Sequence, residues 1–334
     1  MKTYSEDSAD SALRASGDAV TAGRPDVPAG GPAPKAAGRG RRPLWMLVPC
    51  GAALLAVVLV PVALTVDMSL HDVNVSTLRD WVHAPWSGLR NFKEAFTGPS
   101  VQGVGAARSL GISVAFSLLT TLVVVPVGFL AALSVHRPFR GHGVVRALYL
   151  IPHIIPMFVT ALLARIMFLN HYGLVDRVLG HVGLASQDTY WLIGPNAFWA
   201  MTFTNMWAQW PFIYLLVLAG LQTIPREQLE AAEMDGASPL TKLRRIVLPQ
   251  MSGLLKLGVL LSTLYHFGNF TLAYVMFSSP PPASVNVLPI NAYFRAFSTF
   301  DYGVASAMAV LMMIILIVPG YIYLRATRMT DEPE

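Results

Sequence analysis

Charge is scarce in this chain. Asp, Glu, Lys and Arg together make up 13% of its 334 residues, about half the roughly 25% usual in soluble proteins. Hydrophobic residues make up 54%, and the mean hydropathy is +0.52. A water-soluble fold has too few charges here to cover its apolar surface, which argues against a cytosolic enzyme or a secreted domain. Cysteine is nearly absent: the single Cys50 rules out an internal disulfide framework or a cysteine-based metal cluster and is expected to be inert packing. No Gly-x-x-x-x-Gly-Lys-Ser/Thr loop occurs, so the chain cannot cradle ATP by that device. The apolar runs contain no Asp or Glu, no His cluster and no nucleophile–base pattern. These absences argue against a metal-ion or proton path, a membrane-embedded enzyme and a stand-alone secondary transporter, which needs buried carboxylates or coupling-ion ligands. No catalytic or metal-ligating residue is expected.

What is present is a set of long apolar runs. A membrane-crossing helix needs about 20 mostly apolar residues, and six segments qualify: Leu44–Val66, Leu110–Val135, Ala147–Leu169, Ala197–Leu221, Met251–Phe277 and Gly303–Leu324. The first is too long and too far from the start for a signal peptide. It follows a tail, residues 1–43, rich in Gly, Pro, Ala and Ser, as in Pro28-Ala-Gly-Gly-Pro-Ala-Pro34. Such a tail lacks the large apolar residues that order requires. The expectation is an all-α integral membrane protein with a transmembrane domain over 44–325 and a short C-terminal tail over 326–334.

The basic residues orient it. With the N-terminus inside, the inner segments (the tail, 136–146, 222–250 and the last ten residues) carry sixteen Lys and Arg against six outside. This excess places both termini in the cytoplasm. The net charge of +5 is therefore a topology signal and calls for no nucleic acid. Arg39, Arg41 and Arg42, just before the first run, fit a membrane-surface anchor. Arg165 and Lys256 lie near the ends of their runs, where snorkelling to the headgroups is the favoured reading over a functional one. His153 is expected to be a packed, hydrogen-bonded histidine. His266 sits at mid-span, where a polar group usually faces protein or a water-filled path.

The stretch from Leu221 to Pro249 has its own logic. Pro225 suits the first turn of a helix, and Glu227 lies near that positive end. Gly236 permits a left-handed turn. Ser238 can cap a second helix with Pro239 as its first residue, and Pro249 marks the next break. The prediction is a compact helix–turn–helix beneath the membrane, with small residues Ala231, Ala232, Gly236 and Ala237 at the turn, where another protein's surface can come close.

Within it, Glu230-Ala231-Ala232, three residues, Gly236, nine residues, Ile246, one residue and Leu248-Pro249 resemble the cytoplasmic signature of the permease subunits of ABC importers. Asp235-Gly236-Ala237 matches its extended form. The resemblance continues through Gly88–Phe96, Arg146…Leu150-Ile151-Pro152…Ile155-Pro156, Trp207…Trp210-Pro211-Phe212…Gln222, and Asn286…Pro289, Tyr293, Phe297 and Tyr302-Gly303…Ser306-Ala307. It is closest to the first permease subunit of maltose-type sugar importers and covers roughly residues 44 to 325. One departure is Ser278-Ser-Pro-Pro-Pro-Ala283, where relatives often carry a Gly-Gly-Pro turn.

The resemblance implies a type I ABC importer transmembrane domain in a bacterial plasma membrane. Its partners would be a second permease, two nucleotide-binding ATPase subunits, an extracytoplasmic solute-binding protein and a sugar substrate. ATP and Mg would bind on the ATPase and no cofactor on this chain. Glu230, Ala231, Ala232, Asp235, Gly236, Ala237, Ile246, Leu248 and Pro249 would couple to that ATPase. Sugars present C–H faces and hydroxyls, so aromatic and neutral polar side chains of the fourth and fifth runs are the candidates for the substrate path: Asn205, Gln209, Trp210, Tyr214, His266, Phe267 and Asn269. A non-sugar solute such as a polyamine or a phosphate ester remains the alternative within the same class.

Overall fold

A computed structural model describes residues 48–98, 103–183, 189–277 and 280–328. The expected disordered tail, the last six residues, and Ser278 and Ser279 of the divergent turn lie outside them. By chain contacts the protein divides into two units, residues 1–57 and 58–334. Of the first, the described part is helical from Val48.

The described residues are almost entirely helical, with only two isolated bridges, His71 to Trp86 and Asn74 to Asp301. The principal helices are α1 (Val48–Ser69), α2 (Arg90–Thr97), α3 (Ala106–His136), α4 (His142–Ile154), α5 (Met157–Met167), α6 (Leu174–His181), α7 (Asn196–Leu221), α8 (Arg226–Met234), α9 (Pro239–Gln250), α10 (Ser252–Phe267), α11 (Thr271–Met276), α12 (Leu288–Phe297) and α13 (Tyr302–Arg328). Helices α1, α3 and α13 are each long and apolar enough to cross a membrane. Three bent pairs (α4 with α5, α7 with α8, α9 with α10) reach that standard together, giving up to six crossings.

Two of the apolar runs are broken. The third, expected as one helix, bends by 88° between α4 and α5. The cause is Pro156: the residue before a proline is pushed out of the α region, and Ile155 is extended at φ −69°, ψ 123°. The fifth run ends its first helix at Phe267 and resumes at Thr271. There the Asn269 Oδ1 accepts the Leu272 N–H at 3.1 Å, so a side chain replaces a ladder bond. The last helix continues to Arg328, beyond the expected end at Leu324.

In the larger unit, α3 and α7 make the most extensive helix pair. Their approach depends on Gly128, where a Cβ would stand 2.7 Å from Ile213 Cβ and from the Trp210 carbonyl. One core gathers Phe116, Met201, Leu272, Met276, Ile290 and Phe294. Another gathers Val124, Val135, Ile213, Tyr214, Val217, Leu221, Ile224, Val247 and Met251. Between spans in lipid, such packing stabilises through close van der Waals contact and interhelical hydrogen bonds, not through removal of apolar surface from water. Polar clasps join the ends of the helices. Asn91 donates to the Ser69 and His71 carbonyls at 2.9 and 2.8 Å, and Arg90 pairs with Asp72 at 2.6 Å. Asn291 donates to the Val104 carbonyl at 3.0 Å and to Ser109 Oγ at 2.9 Å. The segments Gly88–Phe96 and Asn286–Phe297 singled out in the sequence therefore supply these clasps.

Candidate functional site

The helix–turn–helix forms as its residues require. Pro225 takes the N-cap position of α8, one place before the first helical residue. The helix closes in a Schellman motif: the Ala237 N–H reaches the Ala232 carbonyl at 2.9 Å and the Gly236 N–H reaches the Glu233 carbonyl at 3.0 Å. This geometry needs a left-handed residue, and Gly236 has φ +77°. Ser238 then caps α9, its Oγ accepting the Thr241 N–H at 3.2 Å, with Pro239 as the first helical residue. Such a cap is worth about 1 kcal/mol.

The expected break at Pro249 falls two residues later, at Met251. A π-helical turn over Leu243–Val247 absorbs the proline. Widening the ladder there accommodates the N–H that Pro249 lacks, so the helix continues through it. Helix α8 departs from α7 by 75°, and α10 departs from α9 by 70°.

The signature residues divide between two faces of this elbow. Glu230, Ala231, Asp235, Gly236 and Pro249 are exposed, Ala232 and Ala237 are half-buried, and Ile246 and Leu248 turn partly inward. Met234, beside the turn, is 88% exposed and Leu240 is 54% exposed. At the base, Ile224, Val247 and Met251 are buried in the same core as α3 and α7, with Leu229, Leu243 and Ile246 packed against it. The elbow thus presents a small-residue tip and has a root continuous with the spans.

The substrate-path candidates separate differently. Asn205, Tyr214, His266 and Phe267 are buried within the chain, and Asn269 nearly so. Asn205 Nδ2 lies 3.0 Å from His266 Nδ1, and Asn269 Nδ2 donates to Asn205 Oδ1 at 3.1 Å. An amide nitrogen only donates, so His266 Nδ1 accepts and the imidazole is neutral with its proton on Nε2. That Nε2 is buried with no hydrogen-bond partner among the described residues. Tyr214 packs edge-on against Tyr149, ring centroids 5.5 Å apart, and Phe267 packs with Leu288, Val304 and Met308. Gln209 and Trp210 are half-buried, and Gln209 meets the exposed Tyr265 hydroxyl at 3.4 Å.

Other expectations shift. His153 is exposed rather than packed, its ring 6.3 Å from that of Phe212; on this turn of α4 it is the adjacent Pro152 that is buried. Cys50 is exposed rather than packed. Lys256 is exposed, whereas Arg165 is half-buried in the wall of a cavity of about 840 Å³ that Arg108, Phe168, Tyr190 and Trp191 also line. Hydropathy carries no signal for that cavity, whose lining comes from segments far apart in the sequence. The Asp176 carboxylate accepts the Trp191 Nε1–H at 3.2 Å and the His171 N–H at 2.9 Å. Among the described residues no group of three His, Cys, Asp or Glu is placed to hold a metal ion.

A family described as "Binding-protein-dependent transport system inner membrane component" matches residues 124–328. The trehalose/maltose transport system permease protein MalF of Thermococcus litoralis is 30% identical over 285 residues, 85% of this chain and 92% of the relative. The sulfoquinovosyl glycerol transport system permease protein SmoG of Agrobacterium fabrum is 29% identical over 291 residues, 86% of this chain and 90% of the relative. Among solved structures, a bacterial ABC transporter involved in import of the acidic polysaccharide alginate superposes with a TM-score of 0.73 at 20% identity, covering 86% of this chain and 95% of that one.

Proposed function

The chain belongs to the inner-membrane-component family of binding-protein-dependent transport systems, and from that premise we propose that it forms half of the translocation path of an ATP-driven importer for a sugar or sugar-like solute. It is a multi-pass permease of the inner membrane. The observation that carries the finer reading is the elbow: a signature of fixed residues folded into a capped, exposed turn whose root is buried with the spans.

In this reading the chain crosses the membrane six times with both termini cytoplasmic, as the Lys and Arg distribution favours. ATP and Mg bind two separate nucleotide-binding subunits, consistent with a sequence lacking a phosphate loop. When those subunits close on ATP, the elbow moves with them. Its buried root passes the movement to α3 and α7, which biases the path between inward- and outward-open states. Glu230 offers the partner a charged acceptor, and the small residues Ala231, Ala232, Gly236 and Ala237 admit its surface.

A second permease covers the face that carries Gln209, Trp210 and Tyr265, and solute crosses between the two. The Asn205–His266–Asn269 network holds that wall, and α7, α10 and α11 carry no Asp or Glu to favour a cation there. Two relatives are named as trehalose/maltose and sulfoquinovosyl glycerol permeases, which supports a carbohydrate over a polyamine or a phosphate ester. An extracytoplasmic binding protein delivers the solute. The test is to purify the complex, reconstitute it with its binding protein, and screen neutral sugars, polyamines and phosphate esters for stimulation of ATP hydrolysis. Stimulation by a sugar is expected; stimulation by a polyamine or a phosphate ester alone overturns the substrate class.

A further inference from the structure

Two side-chain pairs bridge the arms of the elbow, one near each end. Near the tip, Lys242 Nζ donates to Glu233 Oε2 at 3.1 Å. Near the base, Gln250 Nε2 donates to Gln228 Oε1 at 2.7 Å. Between them Leu229 of α8 and Leu243 and Ile246 of α9 pack against the core that holds the root. We infer that Lys242, through Glu233, is the positioning residue that holds the two arms as one rigid body, so that force applied at the tip reaches the spans instead of splaying the turn.

The burial pattern is the argument. Lys242 lies on a segment outside the apolar runs, yet its side chain is only 9% exposed, against 67% for Glu233. A lysine that needed only solubility would extend into water at little cost. Here the stem is buried and the ammonium is directed across the turn to the last turn of the opposite arm. Without this pair, the tip is joined only by the backbone of Asp235-Gly236-Ala237, and Gly236 is the residue with the widest conformational freedom. The π-helical turn of Leu243–Val247 follows directly after Lys242, so the second arm has its own soft point. A clamp above that point keeps both arms moving together. A pair of this kind has small static stability where one member is exposed. Its effect belongs in the transmission of motion, where single residues shift coupling by roughly two- to thirtyfold.

This inference rests on the reading of the elbow as the contact with an ATPase. The experiment compares wild type, Lys242→Met, Glu233→Ala and Lys242→Arg in the full reconstituted complex, measuring solute transported per ATP hydrolysed at matched amounts of complex. Lys242→Met keeps the apolar stem and removes the ammonium. Glu233→Ala removes the acceptor from a side chain that is 67% exposed and sits in a helix, where alanine is well tolerated. Both are expected to lower the transport-to-hydrolysis ratio by about threefold or more, while the ATPase still co-purifies in wild-type proportion. Lys242→Arg, which can still reach Glu233, is expected to retain the wild-type ratio. If wild type couples and Glu233→Ala keeps its ratio, the clamp is refuted and the elbow reading stands. If wild type itself carries no ATPase, the elbow reading falls.

Discussion

Gly236 adopts φ +77° with no atom within 4 Å of where a Cβ would stand, so what it supplies is backbone freedom rather than space. An L-residue in the left-handed region costs roughly 1–2 kcal/mol. Gly236→Ala is therefore expected to weaken the Schellman turn by about 1 kcal/mol and to reduce uptake partially. Gly236→Asp adds bulk and charge to the exposed tip of the elbow; on the proposed docking role it should leave the protein in the membrane with ATP hydrolysis no longer linked to uptake. Normal transport by the aspartate variant contradicts the lever role. At the start of α13, Asp301 caps the helix by accepting the Val304 N–H at 3.2 Å. Burial holds its carboxyl above the usual carboxylate range, with Glu94 and Asp72 pushing the same way, against the Val304 bond and Arg295. A folded-state pKa above the unfolded one means that the folded form binds the proton more tightly. The stability this adds is complete below the unfolded value, near pH 4, and is lost as pH rises through the folded value. Asp301→Asn keeps an acceptor and removes the titration. Its thermal stability in detergent should decline less than that of wild type between about pH 4 and 7, and identical profiles contradict this.

Helix pairs depend on close approach, and the crossing of α3 with α7 is the clearest case. Gly128→Leu forces side-chain atoms into the Ile213 side chain and the α7 backbone. It should cost at least about 1–3 kcal/mol, visible as a lowered thermal midpoint. Gly111, on the same helix, meets nothing within 4 Å, so Gly111→Ala should be neutral or stabilising by up to about 1 kcal/mol. Equal loss in both variants shows that the crossing is not tight. At this scale the elbow was the most legible part of the sequence. Its turn follows from local chemistry: Gly236 for the left-handed residue, Ser238 and Pro239 for the cap. The breaks after Ile155 and Phe267 were missed because hydropathy records apolar content and not direction; Pro156 and Asn269 were the signals present. The pairing of Lys242 with Glu233 spans nine residues across a turn and follows no helical period. Likewise, the Asn205–His266–Asn269 network exists only because α7 lies against α10 and α11, a tertiary fact that neither segment carries alone.

For the molecule as a whole, composition and the elbow signature were enough to place the chain among membrane permeases, and the family match over residues 124–328 agrees. The separation of path candidates into buried and half-exposed sets required coordinates, since apolar helices of a membrane protein look alike from outside and inside. The account stands on the elbow meeting an ATP-splitting subunit, and the chain's cysteine content makes that contact directly measurable. With Cys50, the single cysteine, replaced by serine and one cysteine introduced at the exposed Ala231, a thiol-directed photo-cross-linker in native membranes reports what lies against the tip. The account predicts one dominant protein adduct, identified by mass spectrometry as a nucleotide-binding ATPase and lost on Gly236→Asp. Adducts to lipid alone, or to proteins that hydrolyse no ATP, would contradict it.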